Sequence, residues 1–208
     1  IVVEGETGVD HLRKILPNTP KIIGPTTESL DWATNKIAMR QRFEIYDKSI
    51  TPKFAVLKDN TPVAIKAVER KVGFPMVVKP AGLAASMLVS ICYHHEELEK
   101  TLKRTFAVID KVYKKSKGWG APKILVEQFM EGTMYSIDAY VDNKGSIRFC
   151  PLVKVETGRT VGFDDFFGYQ RITPTTIKST SAKNAEAVAS KAIRALALRS
   201  TTAHVELM

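Results

Sequence analysis

Two stretches of this chain read as antiparallel strand pairs, which excludes an all-parallel α/β sheet from the outset. MYSIDAYVDNKGSIRFCPLVKV, residues 134–155, reads as two alternating strands joined at Asp142-Asn143-Lys144-Gly145, a hairpin signal. GFPMVVKPAGLAASMLVSI, residues 73–91, reads as a strand, a loop of small residues and a second strand. Helix-period segments lie between and around them. TTESLDWATNKIAMRQRFEIYD starts on a Thr, puts Glu28 in its first turn and repeats apolar residues at Leu30, Ala33, Ile37 and Phe43. VAIKAVERKVG ends on Gly73, HEELEKTLKRTFAVIDKVYKK forms a long helix, and NAEAVASKAIRALALRS precedes a final strand, TAHVELM. TPKFAVL and KILVEQFM supply two more strands. Antiparallel pairs mixed with helices imply an α+β core, here in two lobes meeting near Gln128.

Four segments follow from that pass. Residues 1–25 hold a strand-like IVVEGETG and a short helix ended by Pro17, expected to be the end of an α/β N-terminal domain. Residues 26–50 are expected to form a connecting helix, 51–128 a first lobe, and 129–208 a second lobe that is incomplete at its C-terminus.

Composition bears on which functions remain open. At 208 residues, 44% hydrophobic and 25% charged, the chain is of ordinary globular type. No uninterrupted apolar run approaches ~18 residues, so no membrane span is expected. The opening IVVEGETG lacks the basic start and long apolar middle of a secretory leader. Cys92 and Cys150 are far apart, with no second pair at metal-like spacing; both sit in strand contexts and are expected as buried free thiols in a reducing, cytoplasmic setting. The four histidines form neither HExxH nor a zinc knuckle. A net charge of +9 suits polyanionic partners, whether nucleic acid or nucleoside phosphates. The basic residues are spread, no aromatic stripe alternates with them, and no helix-turn-helix or RNA-recognition signature is present.

Three places carry possible chemistry. Lys79 ends an apolar strand and faces a loop containing Gly82, Ala84, Ala85 and Ser86. Small side chains let backbone N–H groups approach phosphate oxygens, and a lysine neutralises their charge. A lysine snorkelling from a strand end explains the same residues. KILVEQFMEG runs off a strand at Glu127, Gln128, Phe129 and Met130, where free backbone groups between apolar neighbours could hold a flat heterocycle. Taken alone, this is also simply a strand end. In HVELM, Glu206 points opposite to Val205 and Leu207, and a carboxylate beside a phosphate site is the usual way to hold Mg²⁺. His204 shares that face and is expected as a hydrogen-bonded neighbour.

The order of these features changes their meaning. Asn35-Lys36, G-F-P-M-V-V-K-P with its small-residue loop, V-E-Q-F-M-E-G with the downstream Y-S-I-D strand, and then H-V-E resemble the ATP-grasp superfamily, in particular its carboxylate–amine ligases. The resemblance covers roughly residues 20–208. It implies the ATP-grasp fold, two lobes with a nucleotide cleft between them, and a ligase using ATP and Mg²⁺. ATP would activate a small-molecule carboxylate as an acyl phosphate, and an amine or other nucleophile would displace the phosphate. Residue by residue, it implies that Lys36 and Lys79 contact phosphate and that Gly82, Ala84, Ala85 and Ser86 belong to the loop covering the triphosphate. Glu127, Gln128, Phe129 and Met130 would read the adenine, with Glu127 accepting at its exocyclic amine; Val77 and Met208 would wall the base, and Glu206 would be a metal carboxylate.

Departures from the pattern are specific. GLAAS has fewer glycines than such loops carry, and Met134 stands where many relatives place a glutamate for the ribose. Relatives continue past HVE into strands with further metal ligands and an arginine, so the chain is expected to be a fragment, lacking most of the N-terminal lobe as well. Arg159 and Arg171, in ETGRTVGFDDFFGYQRITP, are candidates to face a substrate carboxylate. A homodimer is compatible with the resemblance. Two alternatives remain beside the ligase: an ATP-binding module without catalysis, and a basic domain binding nucleic acid.

Overall fold

A computed structural model describes residues 23–83, 87–116, 121–163 and 168–208. The segment expected as the end of an N-terminal domain therefore lies almost wholly outside the described residues. The expected helix over 26–50 is two helices and a turn: α1 (Thr27–Thr34), α2 (Lys36–Tyr46) and a 3₁₀ turn at Lys48–Ile50. Thr26 caps α1 by accepting from the Ser29 amide. The break falls at Asn35, whose side chain accepts from the amides of Ile37 and Ala38 and so starts a second helix. Periodicity does not register such a break, because apolar positions continue on both sides of it.

The first sheet has strand order β1-β4-β2-β3, with β1 Phe54–Leu57, β2 Met76–Pro80, β3 Ser90–Cys92 and β4 Ile124–Gln128. All three pairings are antiparallel, with Val77 opposite Glu127 and Lys79 opposite Leu125. Because side chains alternate, the strands divide cleanly. Met76, Val78, Ile124 and Val126 face two helices, α3 (Pro62–Val72) and α4 (His95–Ser116), and form the main core with them. α4 supplies Leu98, Leu102, Thr105, Ile109 and Tyr113 from one stripe, while acids fill its first turn and lysines its last. α3 starts on a Thr61 cap with Pro62 at its first position and stops at Gly73, whose φ of +79° suits glycine. Val77, Lys79 and Glu127 face the other way.

The second sheet is built on β5 (Met134–Val141). One edge of β5 pairs with β9 (Thr201–Leu207), and the other with β6 (Ile147–Phe149) and β7 (Val153–Thr157) in turn. The stretch expected as two strands is thus three, interrupted at Cys150-Pro151, where proline removes a ladder donor. A further strand, β8 (Gly168–Ile172), pairs with β7 and was not expected. Four of its five residues are exposed, so no apolar alternation marks it.

Ile137, Ala139 and Val141 turn inward onto α5 (Ser179–Ala195), with Ala189, Ala192 and Ile193 opposite them. Phe43 of α2 joins this core, while Ile37 of the same helix packs against Phe54 and Leu125 of the first sheet and Ala81 just past β2. The hairpin turn ends on Gly145, with φ +85°, where an added Cβ would collide with the Arg199 guanidinium. Helices and antiparallel sheets together make the expected α+β class. Cys92 is buried as expected, but Cys150 is exposed, because it follows the short edge strand β6 rather than lying inside the sheet.

Candidate functional site

The inner faces of the two sheets border a cavity of about 720 Å³. Its first wall comes from β2 and β4. Val77 stands opposite Glu127 in the pairing, and Lys79 lies two residues along on the same face. α2 adds Lys36 and Arg40, one turn apart and therefore on one side of the helix. Lys36 is the first residue of α2, the end where the helix dipole favours acids, and the first turn contains none. A cation placed against local preference there is more easily explained by the cavity than by the helix.

Arg40 and Lys79 converge on one carboxylate. Glu127 is 4% exposed. Its Oε1 accepts from Arg40 Nε at 2.5 Å and its Oε2 pairs with Lys79 Nζ at 2.6 Å. A second Arg40 nitrogen, Nη2, donates to Oε2 at 3.4 Å. Burial pushes the Glu127 carboxyl up, but Arg40 and Lys79 outweigh it and hold the group below the ordinary carboxylate range. Lys36 Nζ donates to the Leu83 carbonyl at 2.6 Å and more distantly to that of Ala81. Burial, followed by the charge of Lys79, lowers the Lys36 ammonium pKa, against a smaller upward pull from Glu127.

The strand end and the loop start have their backbone groups partly engaged. The Gln128 amide donates to Lys53 O and the Phe129 amide to Pro75 O, so among the described residues the next amide, that of Met130, is the first without a backbone acceptor. Gln128, Phe129, Met130 and Gly132 all line the cavity. Gly82 does not; its amide donates to the Tyr113 hydroxyl at 2.7 Å, while the Ala81 amide donates to Lys123 O. Ala84, Ala85 and Ser86 lie outside the described residues.

The second wall is a row across the other sheet. Met134 pairs with Val155 and Val155 with Arg171, so the three share one face, and all border the cavity with Thr157 and Arg159. Arg159 also donates to the Tyr93 hydroxyl at 3.2 Å, which joins the second sheet to the start of α4. Glu206 and Met208 close that side. The alternation read from HVELM holds: His204 and Glu206 share the exposed face and Val205 packs inward. His204 pairs with Asp138 at 2.7 Å and stands 3.9 Å from Glu206 Oε1.

Among the described residues no group of three or more His, Cys, Asp or Glu could hold a metal. Magnesium keeps several waters and takes one or two carboxylates besides phosphate oxygens, so Glu206 fits such an ion together with a polyphosphate and not by itself.

Eleven of the residues expected from sequence line one cavity: Lys36, Val77, Lys79, Glu127 to Met130, Arg159, Arg171, Glu206 and Met208. Arg40 was not anticipated. Its spacing of four from Lys36 was available as a signal, but the same spacing is found on any solvated helix face.

The ATP-grasp domain profile matches residues 72–208. A phosphoribosylamine–glycine ligase from Clostridium acetobutylicum is 31% identical over 129 residues, covering 62% of this chain and 29% of that protein. The solved L-amino acid ligase of Bacillus licheniformis superposes with a TM-score of 0.73 at 20% identity, over 97% of this chain and 44% of that one. Biotin carboxylase from Campylobacter jejuni gives a TM-score of 0.73 at 15% identity, over 98% and 42%. The chain therefore spans less than half the length of these relatives. With two thirds of its residues matched by the profile and its fold shared with these enzymes, the chain belongs to the ATP-grasp family.

Proposed function

We propose that this chain is the nucleotide-binding part of an ATP-dependent ligase. The enzyme activates a substrate carboxylate as an acyl phosphate for attack by an amine or other nucleophile. The observation that carries this reading is the set of three cations, Lys36, Arg40 and Lys79, on the wall of a cavity that holds one buried carboxylate, Glu127, paired with the last two. Such a surplus of positive charge suits a polyphosphate, and the cavity volume is that of a small-molecule site. In this reading Val77 and Met208 flank the adenine, Met130 offers its amide to the ring edge, and Glu127 accepts from the exocyclic amine. Lys36 and Lys79 hold phosphate oxygens, and Gly82 to Ser86 form the covering loop. Glu206 holds magnesium, which when bound neutralises phosphate charge. Arg159 and Arg171, across the cavity, hold the substrate carboxylate. Residues 51–128 and 129–208 act as the two lobes. A cytoplasmic setting suits this chemistry, and no described helix is long and apolar enough to cross a membrane.

Phosphoryl transfer of this type depends on positioning and charge neutralisation, so no side-chain nucleophile is required. The test is the thermal midpoint with and without Mg-ATP, with Lys79→Ala in parallel. At ~100 times Kd a ligand adds about 2.7 kcal/mol, a rise of roughly 5 to 11 °C for a chain of this size. The rise is expected in the wild type and is expected to be lost in Lys79→Ala, whose kcat/KM should fall about a hundredfold once a carboxylate acceptor is found. A wild type whose midpoint ignores Mg-ATP refutes the reading. Binding without phosphate release on any carboxylate would instead indicate a module without catalysis.

A further inference from the structure

Arg40 lies in the cavity wall without an evident ligand of its own. Its guanidinium is turned onto Glu127, contacting both carboxylate oxygens, and its side chain is only 14% exposed. Lys79, on the same carboxylate through a single ammonium, is 21% exposed. The two cations are therefore not equivalent. Arginine's planar fork matches a carboxylate at two points, whereas a lysine ammonium is a point charge on a flexible stem that can change partners.

The arrangement sets a constraint on Lys79. It rests on Glu127 in this structure, so any shift of its ammonium toward a phosphate loosens that pair. A carboxylate 4% exposed that lost its only counter-ion would be an uncompensated buried charge, and that cost would oppose the move. With Arg40 also in place, Glu127 keeps a partner when Lys79 departs.

We propose that Arg40 is a positioning residue: it holds Glu127 paired so that Lys79 is free to exchange that carboxylate for the phosphates of a bound nucleotide. This rests on the nucleotide reading of the cavity given above. Arg40 then acts through Glu127 and touches no phosphate itself. Lys36 cannot substitute for it, since its ammonium is engaged with the Leu83 and Ala81 carbonyls.

The test is the affinity of the full chain for Mg-ATP and for adenosine, by calorimetry, in wild type, Arg40→Gln, Arg40→Lys, Glu127→Gln and the Arg40→Gln/Glu127→Gln double variant. Thermal midpoints confirm that each one folds. Arg40→Gln is expected to weaken Mg-ATP about tenfold and leave adenosine within about twofold, because only phosphate binding needs Lys79 released. Arg40→Lys restores a partner charge and should recover most of the loss. In the Glu127→Gln background nothing detains Lys79, so Arg40→Gln should cost less than about twofold. Equal losses for Mg-ATP and adenosine would mean a general structural role and overturn the proposal. A tenfold Mg-ATP loss that persists in the Glu127→Gln background would place Arg40 on the phosphate directly and also overturn it, while the nucleotide reading stood. A wild type that binds neither ligand would remove the nucleotide reading, and this proposal with it.

Discussion

Glu127 combines a buried position with a lowered pKa, and the second property has a measurable edge. Its folded-state pKa lies below the ordinary carboxylate value because Arg40 and Lys79 outweigh burial. A depressed carboxylate contributes stability that is present above the unfolded value and lost as pH falls through the folded one. Glu127→Gln should therefore cost about 3 kcal/mol at pH 7, where it strands two cations, and progressively less below about pH 4.5. Chemical denaturation of both proteins at pH 7 and pH 3.5 tests this, and an unchanged difference would refute it. At this scale the sequence was readable where residue type and order agreed: Lys36, Lys79, Glu127 and Glu206 all border one cavity. Arg40 was not, because nothing in its neighbours distinguishes a buried ion pair from a solvated arginine. The expectation that Glu127 accepts from adenine named neither of the two cations that pair with it. Partners 87 and 48 residues away in sequence are set by tertiary packing alone.

Between elements, a histidine ties α3 to α4. His95 Nδ1 lies 2.5 Å from Glu69 Oε1, and Glu99, one turn along α4, is 3.3 Å from Nε2. The Glu69 hydrogen bond raises the imidazole pKa, a little opposed by burial and aided by the charges of Glu69, Glu99 and Glu96. A raised histidine contributes stability that is complete below its unfolded value, near 6.5, and disappears as pH rises through the folded value. His95→Gln should thus lower the thermal midpoint at pH 6 and have little effect at pH 9; equal effects at both would exclude a charged pair.

The helices themselves were legible because each core stripe repeats at helical spacing. Leu102, fully buried in α4, illustrates the strength of that signal, and Leu102→Ala should cost about 2 to 5 kcal/mol in denaturant unfolding. A cost below 1 kcal/mol would contradict the packing described. What periodicity could not show was punctuation. Asn35 ends one helix and begins another through side-chain hydrogen bonds, and β8 is an exposed edge strand whose register against β7 is broken between Glu156 and Thr157.

For the whole molecule, the net charge of +9 and the cations lining the cavity act together. An anionic ligand is drawn toward the protein at long range before any contact forms, so its association rate should fall as ionic strength rises. The two-sided cavity was foreseeable only as far as the motif order implied two sheets; which faces they would turn toward each other depended on registers such as Val77 opposite Glu127 and Met134 opposite Val155. The same registers have a consequence for how the protein opens to solvent. β5 is bonded on both edges through most of its length, while β1, among the described residues, has a partner on one edge alone. In deuterium exchange the amides of Ile137 to Tyr140 should therefore be among the last to take up label, well after those of Ala55 and Val56. The hairpin that first constrained the fold would then mark its slowest breathing, and the strand nearest α3 one of its earliest.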